Sequence, residues 1–208
     1  MSDDRRTQAN LSTERIIATA TVLFAERGYD GVSTREIATA AKLNVATVNY
    51  HVGGKESLYH EVQRRARLRE EAALAELVEN VPESVIADPT ALRDLFVRII
   101  DAAINLDTSQ PEVARLHVYR WLESDHRLSD EATGVYDLPL YRKTSDILAR
   151  AIQARSIDLR DRHPASVMGQ MSWMLHGHFA GPPSPIPTRQ LRADLVDYLC
   201  HMLNLPTT

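Results

Sequence analysis

The sequence predicts an all-α fold, with a small N-terminal three-helix domain over residues 1–54 and a larger helical domain over residues 55–208. Apolar residues recur every three or four positions, and no stretch alternates apolar and polar residues as a half-exposed strand would. Two residues typical of helix N-caps, Ser33 and Asn44, each precede one of two short helices that are joined by a tight turn. Pro-bearing breaks divide the remainder into further helices.

The composition is that of a folded protein with a substantial core, since 44% of the 208 residues are hydrophobic. The single cysteine, Cys200, excludes an internal disulfide and a cysteine-based zinc finger, which agrees with a reducing compartment. No apolar run approaches the ~18 residues of a membrane span, and the N-terminus is too polar for a secretory signal. We therefore expect a cytoplasmic protein without a membrane partner.

The net charge of −4 is unevenly distributed along the chain. Residues 1–55 hold seven Lys or Arg against six Asp or Glu, a net charge of +1. Residues 72–208 hold 13 against 18, a net charge of −5. This mild asymmetry has the direction expected of a DNA-binding head attached to an acidic body.

The first three helices are predicted by local signals. A helix over residues 13–27 ends at Gly28, a C-cap glycine. The second helix begins at Ser33, because Ser33 and Glu36 have the spacing of a capping box. Asn44 caps a third helix over residues 45–52, which leaves residues 41–43 for the turn. The first helix has one apolar face, formed by Ile16, Ile17, Ala20, Leu23 and Phe24.

The third helix is apolar mainly through Val48 and leaves polar groups on its other faces. The Asn49 amide can bond adenine in the major groove, and the methyl groups of Ala46 and Thr47 suit the thymine methyl. Tyr, Thr and Lys side chains commonly bind phosphates. Any short helix exposes some polar groups, so one such residue is weak evidence; the spacing of caps, turn and following Gly-Gly-Lys favours a DNA-reading helix.

Residues 13–59 combine an amphipathic helix that ends in Gly and an aromatic, a two-helix reader, and a Lys-Glu pair that opens a fourth helix. The positions in register are Gly28-Tyr29, Thr34, Ile37-Ala38, Thr47, Tyr50-His51 and Lys55-Glu56. In these features the chain resembles the TetR family of transcriptional regulators. The phrases VNYHVGGKESLY, ARLHVYRWLES and VMGQMSWML are also similar to the CecR-type branch of that family.

Two positions depart from the family pattern. Lys42 occupies the turn position where the family usually has Gly, so we expect a left-handed backbone there at a cost of about 1 kcal/mol. Asn49 stands where the family often has Tyr, which bears on the operator that is read. The candidate base-reading residues are Val45, Ala46, Thr47 and Asn49. The candidate positioning residues are Thr34, Arg35, Tyr50, His51 and Lys55.

The rest of the chain is predicted to form helices that serve effector binding and dimerisation. The fourth helix, residues 55–80, would extend nearly 40 Å at ~1.5 Å per residue, long enough to connect the reader to a distant body. A further helix is expected to begin at residue 89 and to extend at least to Ile104. Others are expected near residues 111–123, 139–155, 164–179 and 188–203, with a stiff Pro-rich link at 181–187. Residues 124–138 have no assigned structure.

The resemblance implies a homodimer that forms through the last two helices and binds a pseudo-palindromic operator, with recognition helices about 34 Å apart. It also implies release by a small-molecule effector, with repression as the family's commoner mode and no cofactor. The apolar positions of the two helices are Val167, Met168, Met171, Met174, Leu175, Leu191, Leu195, Leu199 and Met202. The candidate effector-binding residues, which are equally typical of an ordinary core, are Phe96, Ile100, His117, Trp121, Tyr141, Trp173 and His176.

Three other functions are open to the sequence. An enzyme is disfavoured, since no H-E-x-x-H, G-x-S-x-G, P-loop or Rossmann pattern is present. A helical interaction module without DNA binding predicts no salt-dependent affinity for duplex DNA. A metal-sensing regulator needs three or four converging ligands, which the sequence cannot show. Its candidate ligands are His117, His163, His176, His178, His201 and Cys200.

Overall fold

The computed structural model describes residues 2–122, 139–160 and 162–207, and every regular element in these ranges is an α-helix. The prediction of an all-α fold with an N-terminal three-helix domain is confirmed, and the unassigned stretch 124–138 lies outside the described residues. No helix in these ranges is long and apolar enough to cross a membrane. The helices are α1 (Ser2–Arg27), α2 (Thr34–Ala40), α3 (Val45–Val52), α4 (Lys55–Val78), α5 (Glu83–Ala87), α6 (Pro89–Ser109), α7 (Pro111–Leu122), α8 (Pro139–Gln153), α9 (Pro164–Ala180) and α10 (Thr188–Leu203).

The first helix is longer than predicted, since it begins at Ser2 rather than near residue 13. The apolar periodicity marks only the part of α1 that packs, where Ile16, Ala20 and Phe24 are fully buried. The helix ends as expected before Gly28, whose φ of +68° is the left-handed conformation that glycine adopts without strain.

The caps of α2 and α3 are formed as the sequence predicts. Ser33 Oγ accepts a bond from the Glu36 amide at 3.2 Å, and Glu36 Oε2 accepts one from the Ser33 amide at 2.8 Å, which completes the capping box. Asn44 Oδ1 accepts a bond from the Thr47 amide at 2.7 Å. Between them Lys42 has φ = 54°, the left-handed conformation expected at this non-glycine turn position.

The apolar core is divided between a head and a body. The head core is formed by α1, α2, α3 and the first half of α4, with Leu116 from α7. It is closed by an aromatic cluster in which the Tyr59 ring lies 4.9 Å from Phe24 and 5.1 Å from Tyr29, both edge to face. The body core begins at Val78 and includes residues of α6, α8, α9 and α10. The head core thus contains side chains from both predicted domains, residues 1–54 and residues 55–208. The domain boundary between residues 54 and 55 stays a prediction.

The long helix α4 contributes one stripe to both cores. Its buried positions follow every fourth residue from Leu58 and include Glu70, Leu74 and Val78. The sequence pattern predicts an apolar stripe of Leu58, Tyr59, Val62, Ala66, Ala73 and Leu77 on this helix. The first four are buried and Leu77 packs partly buried against the body core, but Ala73 is exposed and the stripe omitted the buried Glu70. A glutamate at a core position is the first sign of an unusual site in the body.

Candidate functional site

The outward face of α3 carries most of the predicted base-reading residues. Val45, Ala46, Asn49 and Tyr50 are exposed, and the Tyr50 side chain is 86% accessible. On the opposite face Val48 is fully buried in the head core. This single anchor and the Asn44 cap fix α3 on the head with its polar face directed outward.

Three other predicted residues lie partly inside the head. Thr47 is half-buried, and its amide is bonded by the cap. His51 Nδ1 lies 3.1 Å from Thr13 Oγ1, so this ring holds α3 to α1. The Lys55 ammonium lies 3.9 Å from the centre of the Tyr29 ring, a cation–π contact at the start of α4. His51 and Lys55 therefore have packing roles in addition to the phosphate contacts predicted for them.

The start of α2 presents the remaining two candidates. Thr34 and Arg35 are its first residues, and the Arg35 side chain is exposed. Next to them, the Ser33 hydroxyl and then the Arg27 guanidinium, whose Nη1 lies 2.7 Å from Glu36 Oε1, lower the pKa of Glu36 to about 2. Glu36 is thus ionised at neutral pH, and its contacts with Arg27 and Ser33 connect α1 to α2.

A cavity of about 110 Å³ lies in the body among α4, α6, α7, α8, α9 and α10. Its walls are mainly apolar, and polar side chains of α4, α7, α8 and α9 gather at one end. The predicted effector-site residues that line it are Phe96, Ile100, His117, Tyr141 and His176.

The two tryptophans among the predicted effector-site residues, Trp121 and Trp173, do not line this cavity. Trp121 Nε1 donates to His117 Nε2 at 2.8 Å, so its indole supports the polar end of the cavity from behind. Trp173 lies 5.5 Å from Trp121 and is 41% exposed, on the outer side of α9. The apolar side chain of Trp173 suggested that it lines the effector cavity. Because of its position on α9, it instead lines a surface groove together with Leu122 and Gly177.

The polar end of the cavity is a hydrogen-bonded network centred on His117. His117 Nδ1 lies 2.8 Å from Glu70 Oε1, while Nε2 faces the Trp121 N–H and lies 3.0 Å from Ser172 Oγ. Because the indole can only donate, Nε2 accepts and Nδ1 carries the proton that is donated to Glu70. Arg120 Nη2 lies 3.2 Å from Glu70 Oε2 and compensates the charge of that carboxylate.

Burial, and then the neighbouring His176, lower the pKa of His117 to about 3, which leaves a neutral imidazole at pH 7. Burial by itself would raise the pKa of Glu70. The bond from His117 and the Arg120 guanidinium outweigh that effect, and the pKa of Glu70 is lowered to about 2. The network therefore contains an ionised carboxylate, its guanidinium partner and a neutral histidine, all removed from water.

A second pair lies against the first. The His176 ring stacks on the His117 ring at 3.9 Å, and His176 Nδ1 lies 2.7 Å from Asp107 Oδ2. Ligand atoms of Glu70, His117 and His176 all lie within 4.8 Å of one another. The sequence prediction includes both histidines but neither Glu70 nor Asp107. Glu70 could have been found as the charged residue at a four-residue step of the α4 stripe, whereas nothing local marks Asp107.

The other candidate metal ligands of the body have separate surroundings. His163 caps α9, with Nδ1 accepting a bond from the Ala165 amide at 3.2 Å. The His178 ring lies 5.0 Å from Phe179. His201 is exposed on α10, and the Cys200 side chain is buried in the body core.

Residues 16–62 match the family model described as bacterial regulatory proteins, tetR family. This N-terminal segment is similar to the DNA-binding domain of the TetR family. The chain is 44% identical over 45 residues to the probable HTH-type transcriptional regulator YttP of Bacillus subtilis. It is 38% identical over 48 residues to the biofilm operon icaADBC HTH-type negative transcriptional regulator IcaR of Staphylococcus aureus. The matched stretches cover 22% and 23% of this chain and only 22% and 26% of the two relatives' lengths.

Solved structures show that the similarity of fold extends over the whole TetR-type architecture. A regulatory protein of the tetR family from Rhodococcus RHA1 has a TM-score of 0.73 at 18% identity, over 94% of this chain and 98% of that one. AibR, solved in complex with isovaleryl coenzyme A and operator DNA, has a TM-score of 0.66 at 18% identity, over 94% of this chain and 100% of AibR. The family prediction is confirmed, and the assignment to the CecR-type branch stays a prediction.

Proposed function

We propose that this protein is a ligand-responsive transcriptional regulator that binds a pseudo-palindromic operator as a homodimer. The observation that carries the proposal is the α3 surface, where Val45, Ala46, Asn49 and Tyr50 are exposed together on a helix anchored by Val48. Base edges are read by short helices of this kind in the major groove. The matched relatives, YttP and IcaR, are described as transcriptional regulators, and IcaR as a negative one.

Dimerisation through α9 and α10 is supported by the composition of α9, which has no Asp, Glu, Lys or Arg in 17 residues. A helix that is apolar on all sides is usually covered on all sides. The predicted seam needs correction, however, because Val167, Leu175, Leu191, Leu195, Leu199 and Met202 are buried within their own chain.

The face of α9 that is left for a partner carries Trp173, Met174 and Gly177. A Cβ at Gly177 would meet nothing within 4 Å, so a second helix can approach closely there. Two heads related by the two-fold axis of such a dimer would place their recognition helices in successive turns of one DNA face.

Effector binding is proposed for the body cavity. The cavity reaches α4 through Glu70 and Leu74, and α4 carries the head on its first half. A ligand there acts on DNA binding only if it binds one spacing of the two heads better than the other. The volume of about 110 Å³ is below the 300 Å³ or more of usual ligand pockets, so an effector must also enlarge the cavity. AibR, the neighbour solved with isovaleryl coenzyme A, is an example of a ligand bound within a similar fold.

The decisive experiment is selection of bound duplexes from a random DNA pool by the full-length protein. The proposal predicts enrichment of a palindromic site, with two protein chains per duplex in analytical ultracentrifugation. Binding without enrichment of any sequence, or enrichment of a single half-site by a monomer, would contradict the proposal.

Two head variants then separate base reading from phosphate contacts. Asn49→Ala should lose about 1 to 3 kcal/mol of discrimination at one base position. Arg35→Ala should weaken binding to all sequences alike and reduce the salt slope by about one. Gln153→Ala, which removes an exposed amide at the end of α8, is the matched control and should change neither property. An unchanged base preference in Asn49→Ala would remove Asn49 from the reading surface.

A further inference from the structure

We infer that Glu70, His117 and His176 form a site for one divalent transition-metal ion of the zinc class, with Asp107 as the group that orients His176. The three residues come from α4, α7 and α9 and are all buried. Two imidazole nitrogens and one carboxylate oxygen are ligands that Zn²⁺ accepts in proteins, usually with a fourth position left for another donor.

The distances are close to those that an ion requires. The three ligand atoms lie within 4.8 Å of one another. Around a tetrahedral ion with bonds of about 2.0 to 2.1 Å, neighbouring ligand atoms are roughly 3.3 Å apart. Glu70 Oε1 and His117 Nδ1 are already 2.8 Å apart, so an ion that replaces the Nδ1 proton would push this pair slightly open. The remaining movement is a contraction of up to about 1.5 Å by His176, whose ring must also tilt out of its stack on His117 to direct its nitrogen at the ion.

Asp107 supports the proposed metal site independently, because no other role of its side chain is evident. Its side chain is completely buried on α6, and Oδ2 lies 2.7 Å from His176 Nδ1. Within the described residues its second oxygen, Oδ1, has no hydrogen-bond partner. A carboxylate that holds the Nδ1–H of a histidine and leaves Nε2 as a ligand is the usual support of a metal-binding histidine.

The charges of the cluster also favour a cation. The Glu70 carboxylate is shared between His117 and the Arg120 guanidinium, whereas the buried Asp107 carboxylate has His176 as its ion-pair partner. A buried charge without compensation is costly. A divalent ion between Glu70 and His176 would bring positive charge close to both carboxylates, and the proton that it displaces from His117 Nδ1 would be released to water.

That fourth position would face the cavity, where Ser172 and Tyr141 also lie. The ion would then form part of the cavity wall, and an oxygen donor of an effector could complete its coordination. It would also fasten α4 to α7 and α9. Its consequence for DNA binding rests on the proposed function, whereas ion binding itself does not.

The experiment uses the full-length protein stripped with a chelator and then titrated with zinc alone against a chromophoric competitor. One ion per chain is expected. Glu70→Gln and His176→Gln should each reduce zinc affinity by more than 100-fold, and the nearly isosteric Asp107→Asn by about 10- to 100-fold. His201→Gln, which removes an exposed histidine of α10, is the matched control and should bind zinc like the unchanged protein.

Cobalt(II) gives a second readout that needs no variant. Bound at this site it should show the visible absorption bands of a low-symmetry complex with nitrogen and oxygen ligands, and zinc should abolish them. The inference is overturned if the stripped protein binds no stoichiometric zinc. It is equally overturned if Asp107→Asn, folded by circular dichroism, binds zinc as tightly as the unchanged protein, or if His201→Gln loses the ion. Sequence selection from the DNA pool is scored separately, so failure of either proposal is distinguishable from failure of the other.

Discussion

The head core is formed by apolar side chains and the ring cluster of Phe24, Tyr29 and Tyr59, and its buried polar residues, Thr21 and Gln63, are uncharged. The body core instead surrounds ionised and titratable groups. Both cores exclude water, since Ile37 in the head and Leu195 in the body are fully buried. They differ in what lies at the centre: rings in edge-to-face contact in the head, and a carboxylate with its guanidinium and imidazole partners in the body.

The difference bears on function, because charged groups in a core rarely maximise stability. Buried ion pairs are often no more stabilising than apolar residues of the same volume, but they are sensitive to the loss of one partner. The head is thus suited to hold a fixed recognition surface. The body is suited to respond to a proton, an ion or a ligand, and the following predictions test this contrast from the largest effect to the smallest.

Arg120→Met should reduce the free energy of unfolding by about 3 to 5 kcal/mol, because it leaves the Glu70 carboxylate buried without its charged partner. The double variant Glu70→Gln with Arg120→Met should recover a large part of this loss. Urea unfolding followed by tryptophan fluorescence reports on the body, since both tryptophans, Trp121 and Trp173, lie there. Equal losses in the single and double variants would show that the pair is not coupled.

The stability of the body should fall as the pH is lowered from about 6.5. The pKa of His117 is about 3 in the folded protein and near 6.5 when unfolded, so the unfolded chain binds the additional proton between these values. This group alone contributes at most about 1.4 kcal/mol per pH unit. Glu70, with a pKa of about 2, adds a loss in the same direction below pH 4.5.

His117→Gln provides the comparison for that pH dependence. Its unfolding free energy should be lower at pH 7 but should change less between pH 6.5 and 4.5, since no imidazole has to be charged. A slope as steep as that of the unchanged protein in urea titrations at half-unit pH intervals would assign the pH dependence to other groups.

Ser33→Ala should destabilise the head by about 1 kcal/mol, the usual cost of losing a side-chain N-cap. The pKa of Glu36 should also rise from about 2 toward its usual range, because the Ser33 hydroxyl is the main group that lowers it. NMR titration of the Glu36 carboxyl and hydrogen exchange of α2 amides measure the two effects. Faster exchange in body helices as well would show that the two cores do not unfold separately.

Lys42→Gly should stabilise the head by about 0.5 to 1 kcal/mol. Glycine relieves the left-handed backbone strain at φ = 54°, and its greater freedom in the unfolded chain offsets part of the gain. Thermal unfolding compared with Lys42→Ala, which keeps the strain, measures it. A glycine variant no more stable than the alanine variant would show that the turn is unstrained.

The same contrast explains what the sequence could predict. Ser33, Asn44 and Gly28 act on backbone groups within four residues, so their roles can be derived from local spacing. The polar end of the cavity depends on Glu70 meeting His117 across 47 residues and Asp107 meeting His176 across 69. Such pairs are fixed by the packing of four helices, and the sequence shows the ingredients without their distances. For the same reason the sequence leaves open whether the apolar residues of α10 form a dimer seam or a core, and in the structure they fill the core of their own chain.

The single stripe of α4, which enters the head core at Leu58 and the body network at Glu70, has a mechanical consequence. Fifteen residues separate Lys55 from Glu70, a lever of roughly 22 Å at 1.5 Å per residue. A tilt of about 5° around Glu70 would move the start of α4 by about 2 Å. In the proposed dimer, opposite tilts would change the head separation by about 4 Å, against a half-site spacing of about 34 Å. A sub-ångström rearrangement beside Glu70 would thus be amplified before it reaches DNA.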